Sequence, residues 1–312
     1  GNETQWAPGT NQADEQPMLT GGAITGMAGG EYGLIFQRSQ ITRMTYVGVP
    51  GPIFQFDVIS PNIGCLAAGS VAQAGRLTFF LSDRGFYVTD GNDVKPIGAE
   101  RINRTFLESY SPQDIELMYA TVDPQQSIVM WIMPGKAWGY NWELDRWFTS
   151  EQAIKAAFQG FTAGVTLEEL DALFANNIDT MGVSLDDARF KGGAPLLLIV
   201  NTSDEVGTLT GENLEATFEL PYLEPIDGRA ARISRVRPIT DAIDGITLNC
   251  VAKQRLGNTP SIETFAELEA SGDIPIRISG RHIKFTALIA AGTDWSYIQG
   301  LELTRIAAGG VR

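Results

Sequence analysis

Short apolar runs alternate with polar turns along most of this chain, and the layout recurs. In GEYGLIFQRSQITRMTYVG (30–48) a glycine leads into an apolar run, then a polar turn, then a run rich in aromatic and β-branched side chains. GRLTFFLSDRGFYVTDG (75–91) repeats that order, and Leu34-Ile35-Phe36 aligns with Phe79-Phe80-Leu81 at a spacing of 45 residues. A third copy is QQSIVMWIMPGKAWGYNWELDRWF (125–148), with turns at Pro134-Gly135 and Asp145-Arg146, and a weaker fourth is GAPLLLIVNTSDEVGTLTG (193–211). A period of about 40–50 residues holding two hairpins' worth of strand predicts a β-propeller-like repeat of four-stranded blades. An ordinary β-sandwich, which also has turn signals every 8–12 residues or so, is the alternative.

Two stretches break the β pattern. GAERINRTFLESYSPQDIELMY (98–119) predicts two short helices, the second opened by Ser111 as N-cap and Pro112 at the first helical position. Residues 150–190 form the longest stretch of low β character and are expected to be a helical insertion between blades. Within it Leu167, Leu170, Leu173 and Phe174 make a helical apolar stripe. Thr166 with Glu169 reads as its capping box. From about Glu215 the texture changes to five or more strands, with one short helical turn expected in FAELEASGD (265–273). RISRVRP alternates, setting Ile233 and Val236 opposite Arg232, Arg235 and Arg237. The expected organisation is a propeller-like domain over 1–217, carrying the insertion near 150–190, and a β-sandwich over 218–312.

Composition adds limits rather than a function. The chain has 312 residues, 44% of them hydrophobic and 19% charged, which is ordinary for a folded protein. No window approaches the length of uncharged apolar sequence that a membrane helix needs. Cys65 and Cys250 lack metal-ligand spacing and read as two buried free thiols, with one long-range disulfide as the alternative. The net charge of −14 is unevenly spread: residues 1–228 hold 12 basic and 29 acidic side chains, residues 229–312 hold 11 and 8. An acidic body argues against wrapping DNA, because that requires Lys and Arg to displace counterions. It suits a conduit that DNA passes without adsorbing.

Phosphate-loop, dinucleotide, zinc-protease, CxxC and nucleophile-elbow motifs are all missing. The sole histidine, His282, sits in a strand-like run with no nucleophile beside it. Carboxylate pairs such as Glu168-Glu169 and Asp186-Asp187 have no feature marking them as an acid/base couple. Asp90, Asn92 and Asp93 around Gly91 are a weak calcium candidate, since hard cations need several oxygens on a tight turn. They miss the EF-hand pattern, and the same residues are favoured in turns for their own backbone chemistry. Trp138, Tyr140, Trp142 and Trp147 crowd one stretch, the first three at period-2 spacing on one strand face. Such a face is a stacking platform, a packed layer between blades, or a subunit interface. Arg229, Arg232, Arg235 and Arg237 either pair with an acidic neighbouring subunit or form a solvated or internally paired strand face. No cofactor is expected.

Several extended stretches carry a resemblance. WAPGTNQADEQPML (6–19), the 21–48 and 75–91 segments and VKPIGAERINRTF (94–106) are similar to structural proteins of short-tailed bacteriophages and their prophages. So are TLEELDALFANNIDTMGVSLDDARFKGG, LEATFELPYLEP, RVRPITDA, ISGRHIKFTAL and DWSYIQGLEL in the second half. The family is that of packaged-DNA-stabilisation proteins, the tail hub or nozzle beneath the portal. The resemblance implies a virion component without catalysis, made in a bacterial cytoplasm. It would form a ring, commonly sixfold, against neighbouring tail or portal–adaptor proteins, extending or plugging the DNA channel. It also implies propeller architecture, with relatives longer at the N-terminus, so that this chain is expected to lack one or more blades. The alternatives are a carbohydrate- or receptor-binding propeller using the Trp cluster, and a hydrolase on a propeller scaffold.

Overall fold

The computed structural model describes residues 15–48, 53–123, 125–152, 154–161, 195–209, 212–260 and 262–308, with residue 7, 164–166, 169–170 and 192 as short pieces. The chain divides into two units, Gly1–Leu209 and Thr210–Arg312.

In the first unit, strands pair with their sequence neighbours, antiparallel throughout. The first sheet is β1 (Ile24–Ala28), β2 (Gly33–Gln37), β3 (Ile41–Tyr46) and β4 (Phe54–Ser60). A 3-10 turn at Ala68–Ser70 leads to the second: β5 (Ala72–Ala74), β6 (Leu77–Ser82), β7 (Gly85–Thr89) and β8 (Val94–Pro96). Helices α1 (Asn103–Ser109) and α2 (Pro112–Glu116) follow. Ser111 caps α2 as its sequence predicts: its hydroxyl accepts from the Asp114 amide while the Asp114 carboxylate accepts from the Ser111 amide, with Pro112 at the start of the helix. The third sheet is β9 (Tyr119–Asp123), β10 (Ile128–Met133), β11 (Lys136–Asn141) and β12 (Arg146–Ser150). The fourth is three-stranded: β13 (Ile154–Phe161), β14 (Pro195–Asn201) and β15 (Val206–Thr208).

The four apolar runs of the repeat are therefore β2, β6, β10 and β14, the second strand of each meander. The near-continuous burial of β6 and β10 has a simple cause: side chains alternate between faces, and both faces are covered, whereas β14 is fully buried only at Leu196 and Leu197. From β6, Phe79 and Leu81 enter the layer shared with the third sheet, while Phe80 enters the layer shared with the first. From β10, Val129, Trp131 and Met133 face the second sheet's layer, while Met130 and Ile132 pack with Ala157 and Leu197 of the fourth. Helices α1 and α2 lie in the second–third layer, contributing Phe106 and Ile115. First strands also adjoin in series, β5 against β9 and β9 against β13. The approach just ahead of β9 is close enough that a Cβ on Gly69 would stand 1.9 Å from the Met118 carbonyl oxygen.

The expected insertion near 150–190 needs correction at its start. Residues 154–161 form β13, paired along β14 from Ile154↔Asn201 to Phe161↔Pro195. IKAAFQGF has helix-favouring residues, but edge-to-edge pairing with the Leu-rich β14 outweighs that weak preference. The capping box at its centre is present: the Thr166 amide donates to Glu169 (2.9 Å) and the Glu169 amide to the Thr166 hydroxyl (3.3 Å). Leu173, Phe174 and the Asp186-Asp187 pair lie outside the described residues.

The second unit holds β16 (Ala216–Glu219), β17 (Ala231–Thr240), β18 (Ile246–Lys253), β19 (Ile262–Glu267), β20 (Ile274–Gly280), β21 (His282–Ile289) and β22 (Ile298–Ala308). They form two antiparallel sheets, ordered β16-β21-β18-β19 and β20-β17-β22. Because β16 pairs with β21, the division between units falls ahead of the boundary expected at 217. The short helix expected in 265–273 is instead the end of β19 and a turn closed by the Gly272 amide on the Glu269 carbonyl. Both sheets contribute to one core, Ile233, Val236 and Ile276 from one and Leu248, Cys250 and Phe285 from the other. The odd spacing of Ile233 and Val236 is accommodated by a register shift between Ile233 and Arg235, which returns Val236 to the core side. Among the described residues no helix is long and apolar enough to cross a membrane.

Phe86 sits at the centre of the second–third layer, its ring 4.5 Å from Trp131, 4.8 Å from Phe106 and 5.2 Å from Trp147. Phe86→Ala should lower unfolding free energy by about 3–5 kcal/mol, measured by urea denaturation. A loss below about 1 kcal/mol would mean that the layer closes over the gap and is not a tightly packed core.

Candidate functional site

The Asp90 turn joins β7 to β8 and is occupied by the protein's own groups. The Asp90 carboxylate accepts the amides of Asn92 and Asp93, each at 2.9 Å, and these N–H donors hold its pKa below the usual value. The side-chain carbonyl of Asn92 accepts from Arg43 Nη1 at 2.6 Å, and the Gly91 carbonyl accepts from the same atom at 3.2 Å. Arg43 comes from β3 of the first sheet, so a guanidinium stands beside the oxygens that a calcium ion would use. Tyr32 donates its hydroxyl to the Asp90 carbonyl. Its ring lies where a Cβ on Gly91 would be, 2.3 Å away, and Gly91 has a φ of 85° that also favours glycine. The turn is a latch between two sheets. Among the described residues no group of three or more His, Cys, Asp or Glu side chains is arranged to hold a metal.

The aromatic cluster turns inward. Trp138 and Tyr140 are buried, and Trp142 and Trp147 are half-buried in the same layer. Trp131 and Trp147 stack with centroids 5.5 Å apart, and Trp142 packs 5.3 Å from Phe79 of the facing sheet. The polar ends are matched too. Trp138 Nε1 donates to the Tyr110 hydroxyl (3.0 Å), Trp147 Nε1 to the Ile97 carbonyl (2.9 Å) and Trp131 Nε1 to the Ser70 carbonyl (3.0 Å). The partners Phe86, Phe106 and Tyr110 come from β7 and the helical segment, and the spacing of the tryptophans gives no hint of them.

Beside this layer is a second latch. Arg101 grips Asp145 through two parallel bonds, Nη1 to Oδ1 at 2.6 Å and Nη2 to Oδ2 at 2.7 Å, while Tyr140 donates its hydroxyl to Oδ1 at 2.9 Å. Asp145 stands in the turn before β12 at a φ of 53°, a conformation unusual outside glycine but tolerated by Asp. The guanidinium and then the phenol pull its carboxyl pKa down to about 2, while burial first and the carboxylate second push Tyr140 up to about 12. Asp241, which follows β17, is likewise held at about 2 by the hydroxyl and amide of Ser296.

The four arginines are not used alike. Arg237 Nε bonds Asp273 Oδ1 at 2.9 Å, and Arg235 Nη1 lies 3.5 Å from Asp273 and 3.6 Å from Glu269. Arg232 is exposed on β17 and Arg229 is exposed in the turn before it. An open groove of about 410 Å³ on this unit is lined by Ser234, Arg235, Pro275, Ile276, Arg277 and Arg305. His282 is half-buried at the start of β21. Both cysteines are buried and free, and burial pushes the Cys250 thiol up to about 12. No protein-family model matches the chain, and no curated protein matches it.

Two outcomes follow from these latches. With Arg43 in place, the melting temperature should be the same in millimolar calcium and in excess chelator; a calcium-dependent rise would restore the ion-site reading of Asp90. The Asp145 carboxyl has its pKa lowered from 3.8 to about 2, so its contribution is complete above pH about 4 and lost as pH falls toward 2. Asp145→Asn should therefore show a shallower fall in melting temperature across that window than the unmodified chain. Equal slopes would mean that Arg101 adds nothing in solution, as for many exposed ion pairs.

Proposed function

We propose that this chain is a non-enzymatic structural component of a short-tailed phage tail, assembling into a ring below the portal that extends or plugs the DNA channel. In this reading the four serial meanders are blades of a propeller, and the two C-terminal sheets are a β-sandwich. Face-to-face layering of consecutive meanders with their first strands adjoining supports the blade reading.

One observation carries the assembly reading. The outer face of the first sheet is apolar and exposed at its margins: Met27 is 61% exposed, Tyr46 66%, Phe54 41% and Val58 51%, around Ile35 at 5% and Thr42 at 2%. Pairing of Met27 with Ile35, Ile35 with Thr42, Thr42 with Val58 and Tyr46 with Phe54 puts these side chains on one face. Large exposed apolar side chains gathered on one sheet face in this way mark an interaction surface. The Nε1–H groups of Trp131, Trp138 and Trp147 are engaged internally, which supports a packing role over glycan binding.

Electron microscopy of the chain mixed with a portal–adaptor complex of a short-tailed phage tests the reading. Added density on the channel axis is the expected result; free chain with an unchanged complex would overturn it. Tyr46→Glu with Val58→Glu should abolish that density while changing unfolding free energy by no more than about 1 kcal/mol, because both side chains are more than half exposed.

A further inference from the structure

The groove on the second unit lies on the face of β20-β17-β22 turned away from the core. Burial alternates along β17 and β20, with Ile233, Val236, Ile274, Ile276 and Ile278 inside and Arg232, Arg237, Pro275 and Arg277 outside. Register brings Arg235 opposite Pro275 on one side and Arg305 on the other. Five arginines thus share one sheet face. Asp273 and Glu269 reach Arg235 and Arg237 from one side. Arg232, Arg277 and Arg305 are exposed and make no ion pair among the described residues.

The face is an incomplete set of arginine–carboxylate pairs. Arginine is suited to interfaces because its rigid fork meets carboxylates bidentately and is weakly hydrated. The small side chains Ser234, Ser279 and Ala307 leave the floor between the guanidinium groups low. None of the groove's lining residues is aromatic, so it lacks the stacking surface of a single-strand nucleic-acid or sugar site. The complementary charge is in the chain itself: residues 1–209 carry 24 acidic against 12 basic side chains, residues 210–312 carry 13 against 11.

We infer that this groove receives carboxylates from the first unit of a second copy of the chain, with Arg277 and Arg305 as its principal contacts. The contact is heterologous, basic face to acidic unit, and repeats head to tail around a closed ring. It rests on the ring reading above and names one face of the subunit contact.

A photoreactive phenylalanine analogue at position 277 of the full-length chain, mixed with isotope-labelled unmodified chain, reads the contact directly. Cross-links from position 277 into residues 1–209 of the labelled copy are expected, and they should fade as salt rises from about 0.05 to 0.5 M. Cross-links confined to residues 210–312, or none, would overturn the proposal. Arg277→Glu with Arg305→Glu, both exposed and so compatible with folding, should weaken copy-to-copy association at least about tenfold. If that variant assembles normally on the portal–adaptor complex, the groove assignment fails and the ring reading stands. If neither chain assembles and position 277 gives no cross-link, both fail. Retention of duplex DNA by the unmodified chain but not by the variant, without cross-links between copies, would assign the groove to a polyanion instead and overturn the proposal.

Discussion

The first unit depends on burying the second strand of its two inner meanders, β6 and β10, on both faces at once. A run such as Phe79-Phe80-Leu81 cannot be satisfied by one sheet packed on one side, because alternate side chains point to opposite layers. β6 and β10 therefore each commit their sheet to two neighbours, and the sheets stack in series. Stacking of this kind makes layers interdependent: Trp131 fills the layer toward the second sheet while its neighbours Met130 and Ile132 fill the layer toward the fourth. The end of such a series leaves an apolar face, which is what the first sheet presents at Met27, Tyr46 and Phe54.

Polar groups in the first unit mainly fix how these layers register. Tyr32 and Arg43 of the first sheet hold the Asp90 turn of the second. Arg101, ahead of α1, holds the Asp145 turn of the third sheet, and Asn103 reaches the β6–β7 hairpin by donating to the Arg84 carbonyl and accepting from the Phe86 amide. Hydrophobic contact is nondirectional and tolerates sliding; hydrogen bonds between a turn and a neighbouring sheet do not. An Asp-rich turn that resembles a ligand loop in isolation thus acts as a registration point.

Local patterns in the sequence revealed the strands well. The hairpins at 33–46, 77–89 and 128–141 follow from apolar runs and turn residues, and α2 follows from Ser111-Pro112. Long-range pairing was not legible: IKAAFQGF becomes a strand because β14 lies beside it, across a long intervening segment. The same holds at the candidate sites. Asp90, Trp138 and Arg235 were visible as residue types, but Tyr32, Tyr110 and Asp273, which determine what each can do, are distant in sequence. The arginine groove was half visible, since β17 announces itself in RISRVRP while Arg277 and Arg305 join it only through sheet pairing.

An open apolar sheet face and a net charge of −14 belong together physically. A flat apolar face invites non-specific association, and like charge on every copy opposes it at distances comparable to the Debye length. Close contact then forms only where local charge is complementary and shapes match. The second unit, nearly neutral and carrying a basic sheet face, offers such a place, whereas the acidic first unit of one copy repels the first unit of another. Charge of this distribution favours unlike faces meeting over like faces, and a contact between unlike faces is the kind that propagates around a ring. Screening works in both directions: added salt weakens the arginine contacts but also removes the repulsion that keeps apolar faces apart. The two surfaces, one charged and one apolar, thus form a pair with opposite responses to ionic strength.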